Sequence, residues 1–98
     1  MGSILKNDTF TIASRLRAAR RGDTFALYDL GVAYSTGTAG VTYDLVEAHK
    51  WFNLAAIGGS DAAQIARAEI AEDMSAREIA IAQRAARDWL VTNRAQAA

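Results

Sequence analysis

The sequence predicts an all-α fold of about five helices. Three observations carry that expectation. There is no proline in 98 residues, apolar residues recur at three- and four-residue steps, and glycines punctuate the chain between those stretches. At this length one domain, residues 1–98, is expected. Hydrophobic residues make up 51% and charged residues 22%, a globular composition. Much of the apolar share is alanine, so the core is expected to form by close approach of helix backbones.

A first helix is expected from a cap at Asp8 or Thr9 to about Arg21. Gly22-Asp23-Thr24 reads as a stop followed by a fresh N-cap. The second helix, about 24–36, carries Leu27, Leu30, Gly31 and Tyr34 on one face. After the turn Gly37-Thr38-Ala39-Gly40, Asp44 can cap a third helix to about Ile57, with Ala48, Trp51, Phe52 and Ala55 as its apolar face. Gly58-Gly59 ends it, and Ser60 or Asp61 opens a fourth helix to about Asp73. Ser75-Ala76-Arg77-Glu78 matches a capping box and opens a fifth helix, 75–93. Its apolar stripe is Ile79, Ala82, Ala86, Trp89 and Leu90, with Arg77, Arg84, Arg87, Asp88 and Arg94 opposite. The tail from Ala95 to Ala98 is expected to fray.

Composition also excludes functions. Without cysteine there is no disulfide, thiolate metal site or cysteine nucleophile, and a reducing, cytoplasmic setting is favoured. Met1 to Phe10 has no apolar signal-peptide core, Lys6 spoils a myristoylation motif, and no apolar run is long enough to span a membrane. A formal net charge of zero disfavours strong non-specific binding to nucleic acid.

Ala18-Ala19, Gly22 and Ala26 recur at a spacing of 37 as Ala55-Ala56, Gly59 and Ala63. A spacing of 36 instead aligns Leu27, Leu30 and Tyr34 with Ala63, Ala66 and Ile70. A slip of one residue at Gly58-Gly59 reconciles the two registers. Such a period suits stacked helix pairs. The segment 26–63 resembles one Sel-one-like repeat, a cousin of the tetratricopeptide repeat. The matching residues are Ala26, Leu30-Gly31, Tyr34, Gly37, Gly40-Val41, Asp44, Ala48, Trp51, Ala55-Ala56, Gly59 and Ala63. Two features depart from that pattern: the Thr38-Ala39 gap is one residue longer than usual, and Glu47 stands where the family often has lysine. The resemblance implies a short right-handed α-solenoid of antiparallel helix pairs, capped by the fifth helix. Its repeat core would be Leu30, Gly31, Tyr34, Ala48, Trp51 and Ala55. Gly31 would admit a neighbouring helix backbone, and Trp51 and Tyr34 would supply most of the bulk. It also implies a non-enzymatic adaptor or regulator that binds a protein partner, as a monomer or weak homodimer, without a cofactor.

Chemistry-bearing patterns are sparse. His49, the only histidine, reads as a helix-surface residue with no second metal ligand spaced for it. No phosphate loop or nucleophile elbow occurs. Arg15, Arg17, Arg20 and Arg21 cluster in the first helix. Two alternative readings stand beside the adaptor: a small inhibitor or regulator of a nucleic-acid enzyme, using the chain's mixed charge, or a weak nucleic-acid binder through these arginine faces. Phe25, Tyr28 and Val32 lie off the packing face of the second helix. With Glu69 and Glu72 on the fourth they form the candidate partner-binding set, unless neighbouring helices cover Phe25 and Tyr28. Ile81, on the polar side of the fifth helix, is a second candidate contact.

Overall fold

The computed structural model describes the backbone of residues 3–97 and the side chains of residues 12–96. It is all-α: α1 (Ser3–Arg20), α2 (Thr24–Thr36), α3 (Leu45–Ile57), α4 (Asp61–Ala71) and α5 (Ala76–Ala97), with no strand among the described residues. Helix ends follow local chemistry. The Asp23 carboxylate accepts from the Phe25 and Ala26 amides, Asp44 from Glu47, and Ser60 Oγ from Ala63. The capping box at α5 is closed in both directions, Glu78 N to Ser75 Oγ at 3.0 Å and Ser75 N to Glu78 Oε1 at 2.8 Å. Two expected boundaries move. α1 opens at Ser3, which places Asp8 and Thr9 within the helix rather than before it, and α5 continues through the tail to Ala97.

Consecutive helices α1 to α4 form three hairpins, and α3 is the centre, packed by α2, α4 and α5. Ala48 and Ala55 are 0% exposed, and Trp51, Phe52 and Leu54 are buried around them. The repeat-core residues Leu30, Gly31, Ala48, Trp51 and Ala55 are all buried. Tyr34 is only partly buried and packs at the edge of the core. Trp51 supplies bulk as expected, and Phe52 and Leu30, the largest side chains fully enclosed, take the place expected of Tyr34. The role of Gly31 also differs from the expectation. What lies over its Cα is the Phe52 ring, and a Cβ there would sit 2.8 Å from Phe52 Cγ.

The two departures from the repeat pattern acquire structural roles. The extra residue in the α2–α3 turn is taken up by Ala39, at φ 57° between Gly37 and Gly40. Glu47 accepts from Trp51 Nε1 at 3.2 Å and pairs with Lys50 at 2.7 Å, while Lys50 lies over the Trp51 ring.

The α1–α2 and α3–α4 turns are built alike, 37 residues apart. Gly22 N donates to Ala19 O and Asp23 N to Ala18 O; Gly59 N donates to Ala56 O and Ser60 N to Ala55 O. Gly22 and Gly59 both have positive φ, 84° and 103°, which a side chain resists. The spacing of 37 therefore runs unbroken through the glycines and into α4 at Ala63, and no slip occurs there. The faces differ further on because α2 is covered by both α1 and α3, whereas α4 is covered chiefly by α3.

Helix α5 does not pair with α4. Its stripe lies on α3, with Trp89 edge-on to Trp51 at 5.5 Å between centroids, and Asn93 Nδ2 donates to Arg20 O at the end of α1. α5 thus closes the α3 side of the molecule.

Gly31→Ala forces the Phe52 ring out of its seat. The expected destabilisation is about 1–3 kcal/mol, which for a chain of this size lowers Tm by roughly 4–8 °C per kcal/mol. Thermal unfolding followed by circular dichroism checks this; an unchanged Tm contradicts the packing.

Candidate interaction groove

A groove of 340 Å³ lies between the N-terminal turns of α2 and α4, lined by Thr24, Phe25, Tyr28, Gly59, Ser60 and Ala62. The caps at Asp23 and Ser60 start both helices at the same end, so their first turns lie side by side. Gly58 permits this closeness, since a Cβ there would collide with Thr24 Cγ2.

Phe25 is 82% exposed, so neither α1 nor α4 covers it. The turn at Gly22 leads α1 away on the far side of α2, and Phe25, just past the cap, projects into solvent. Tyr28 is half-buried, with its ring 5.4 Å from that of Phe52 at an interplanar angle of 49°. One side of Tyr28 therefore belongs to the core and the other to the groove wall.

The remaining candidate residues divide. Val32 lines a separate cleft on the α1 side, with Arg15, Asp29, Ala33, Thr38 and Ala39. That cleft is bridged by Arg15 Nε to Asp29 Oδ2 at 3.1 Å. Glu69 on α4 and Glu72 at its C-cap are exposed, on the same helical stripe as the groove residue Ala62 and the 63%-exposed Ile65. Phe25, Tyr28, Glu69 and Glu72 thus share one side of the molecule and Val32 does not. Ile65 and Ala62 are the residues that sequence reasoning missed; their three-residue spacing, followed by Glu69 and Glu72, is the signal that could have found them. Ile81 is half-exposed on the outer side of α5.

His49 is buried, at 3% exposure, and its Nδ1 has no hydrogen-bond partner. The surface reading fails because α3 is enclosed by three helices, so a residue off its main apolar face is still inside. Burial and then the Arg67 guanidinium hold its imidazole below the ordinary value. Arg67 itself donates to Asn53 Oδ1 across the α3–α4 hairpin. Burial, with Glu47 and Asp44 nearby, pushes the Tyr34 hydroxyl up. No group of three or more potential metal ligands occurs among the described residues. No helix there is long and apolar enough to cross a membrane.

No family model matches the chain, and no curated protein or solved structure matches it either.

The depressed His49 value has a thermodynamic consequence. In the unfolded chain the imidazole titrates at its ordinary 6.5, above its folded value, so the unfolded state binds the proton more strongly. The neutral-histidine contribution is intact above the unfolded value and is lost as pH falls below it. Tm is expected to fall between about pH 7.5 and about pH 5.5, and the fall to be shallower in His49→Leu. Parallel pH–Tm curves for the two proteins contradict this.

Proposed function

We propose that the chain is a non-enzymatic, Sel-one-like helical-repeat module that binds a protein partner through the α2/α4 groove. The single observation that carries the reading is Phe25. An aromatic side chain left 82% in water beside a 340 Å³ apolar groove is a surface prepared for cover. Two further features support the repeat part of the reading. The two like turns 37 residues apart, each with a positive-φ glycine followed directly by the N-cap residue of the next helix, suit stacked helix pairs. Helix α5 then serves as the terminal cap, with Trp89 closing over Trp51. In this reading α2 and α4 are the first helices of successive pairs, and the groove between them is the concave side of a short right-handed solenoid.

Phe25 is also where a test is cleanest, because a residue so exposed contributes little to folding. Phe25→Asp is expected to change stability by no more than about 0.5 kcal/mol. It is expected to weaken recovery of a partner by the immobilised chain from source-cell extract about tenfold or more. Recovery read by quantitative mass spectrometry, beside a melt of each protein, checks both. A stable variant that retains every partner refutes the groove.

A further inference from the structure

The groove has an electrostatic continuation, and the same chain carries its complement. On α4 the stripe Ala62, Ile65, Glu69, Glu72 is exposed throughout, and Asp61 and Asp73 flank it. The side chains of these four acidic residues form no ion pair, and the helix's only basic residue, Arg67, is turned inward to Asn53. On α5 the outer face runs Arg77, Ile81, Arg84, Asp88, Val91 at four- and three-residue steps, all exposed, with Arg87 and Arg94 beside it. Ile81 is 50% and Val91 70% exposed. One face is an apolar cleft with carboxylates beside it; the other sets the exposed Ile81 and Val91 among guanidinium groups, around a shallow 440 Å³ cleft lined by Arg77, Ala80, Ile81, Arg84, Ala85 and Asp88.

We propose that the occupant of the α2/α4 groove is the outer face of α5 from a second copy of this chain, an assignment that rests on the groove reading above. Orientation follows from charge. With Ile81 seated at the level of Ala62 and α5 antiparallel to α4, Arg77 lies about 6 Å along toward Glu69, and Arg84 about 4.5 Å the other way, over Asp61. Asp88 then falls beyond the N-terminal ends of α2 and α4, where helix dipoles favour an anion. The parallel orientation would instead set Asp88 against Glu69. A net charge of zero leaves no overall repulsion to oppose the contact. Within one molecule α5 packs on α3, away from the α2/α4 groove. The contact is therefore heterologous, and each copy both offers its α5 face and presents a groove.

The test is charge reversal and complementation, read by sedimentation velocity. The wild-type chain is expected to associate as its concentration rises from about 10 μM to about 1 mM in roughly 20 mM salt. The association is expected to dissolve in about 0.5 M salt. Glu69→Arg with Glu72→Arg, and separately Arg77→Glu with Arg84→Glu, are each expected to weaken it about tenfold or more. All four positions are exposed, so circular dichroism should show both variants folded. An equimolar mixture of the two variants restores association, because each supplies the face the other needs. A wild-type chain that stays monomeric, salt-insensitive association, or a mixture that stays dissociated overturns the proposal. Association lost in Phe25→Asp but unchanged in both charge variants also overturns it, while leaving the groove reading standing with a different occupant.

Discussion

The seat of the Phe52 ring over Gly31 is the contact on which the rest of the structure depends. It lets α2 and α3 approach closely, which places Leu30 and Ala48 in a sealed interior at 0% exposure. It also positions the groove. Tyr28 leans on the outer side of the same ring, 5.4 Å between centroids, and so stands as a fixed wall rather than a free side chain. A single missing Cβ in α2 is thereby coupled, through one ring, to the geometry of a surface one turn away.

The central place of α3 explains its own buried alanines. A helix covered by α2, α4 and α5 has little room for large side chains on every face, and Ala48 and Ala55 let the neighbours close. Bulk is concentrated where two elements meet: Phe52 toward α2, and Trp51 toward Trp89 of α5. The polar groups at these seams are handled locally. Glu47 engages both the Trp51 indole and Lys50, and Asn53 takes the Arg67 guanidinium. His49 is the exception. Its unpartnered Nδ1 is a destabilising residue of the same enclosure, tolerable because the neutral ring is the form favoured there.

What was legible in the sequence was local. Asp23, Asp44, Ser60 and the Ser75/Glu78 box each act within three residues, so helix starts at 24, 45, 61 and 76 follow from chemistry that sequence displays. The like turns at Gly22 and Gly59 were legible for the same reason. What was hidden depended on neighbours distant in the chain. His49 looked exposed because periodicity reports one buried face, and α3 has several. The swing of α5 onto α3 is set by tertiary fit between Trp89 and Trp51, which no local pattern encodes. At the groove, helical position and the repeat resemblance together single out the five candidate residues. Val32 separated from the rest because Arg15 and Asp29 draw the α1 hairpin over that part of α2. Ile65 was passed over because its partners in the stripe are an alanine and two glutamates.

Net charge conceals the feature that gives the surface its direction. Eleven basic and eleven acidic residues sum to zero, yet the exposed acids of α4 and the exposed arginines of α5 are on separate sides of α3. In the proposed self-association two physical terms divide the work. Apolar area at Phe25 and Ile65 provides the drive, since removing such surface from water contributes about 25 cal/mol per Å². That drive has no direction, and alone it would favour any apolar cover. Charge supplies the direction, because a mismatched approach sets like charges against each other. The Phe25 ring is left in water by the fold itself, since the Gly22 turn carries α1 away and α4 approaches only as far as Ala62. The unfavourable hydration at that position is therefore a consequence of how the helices meet, and among the described residues none covers the ring.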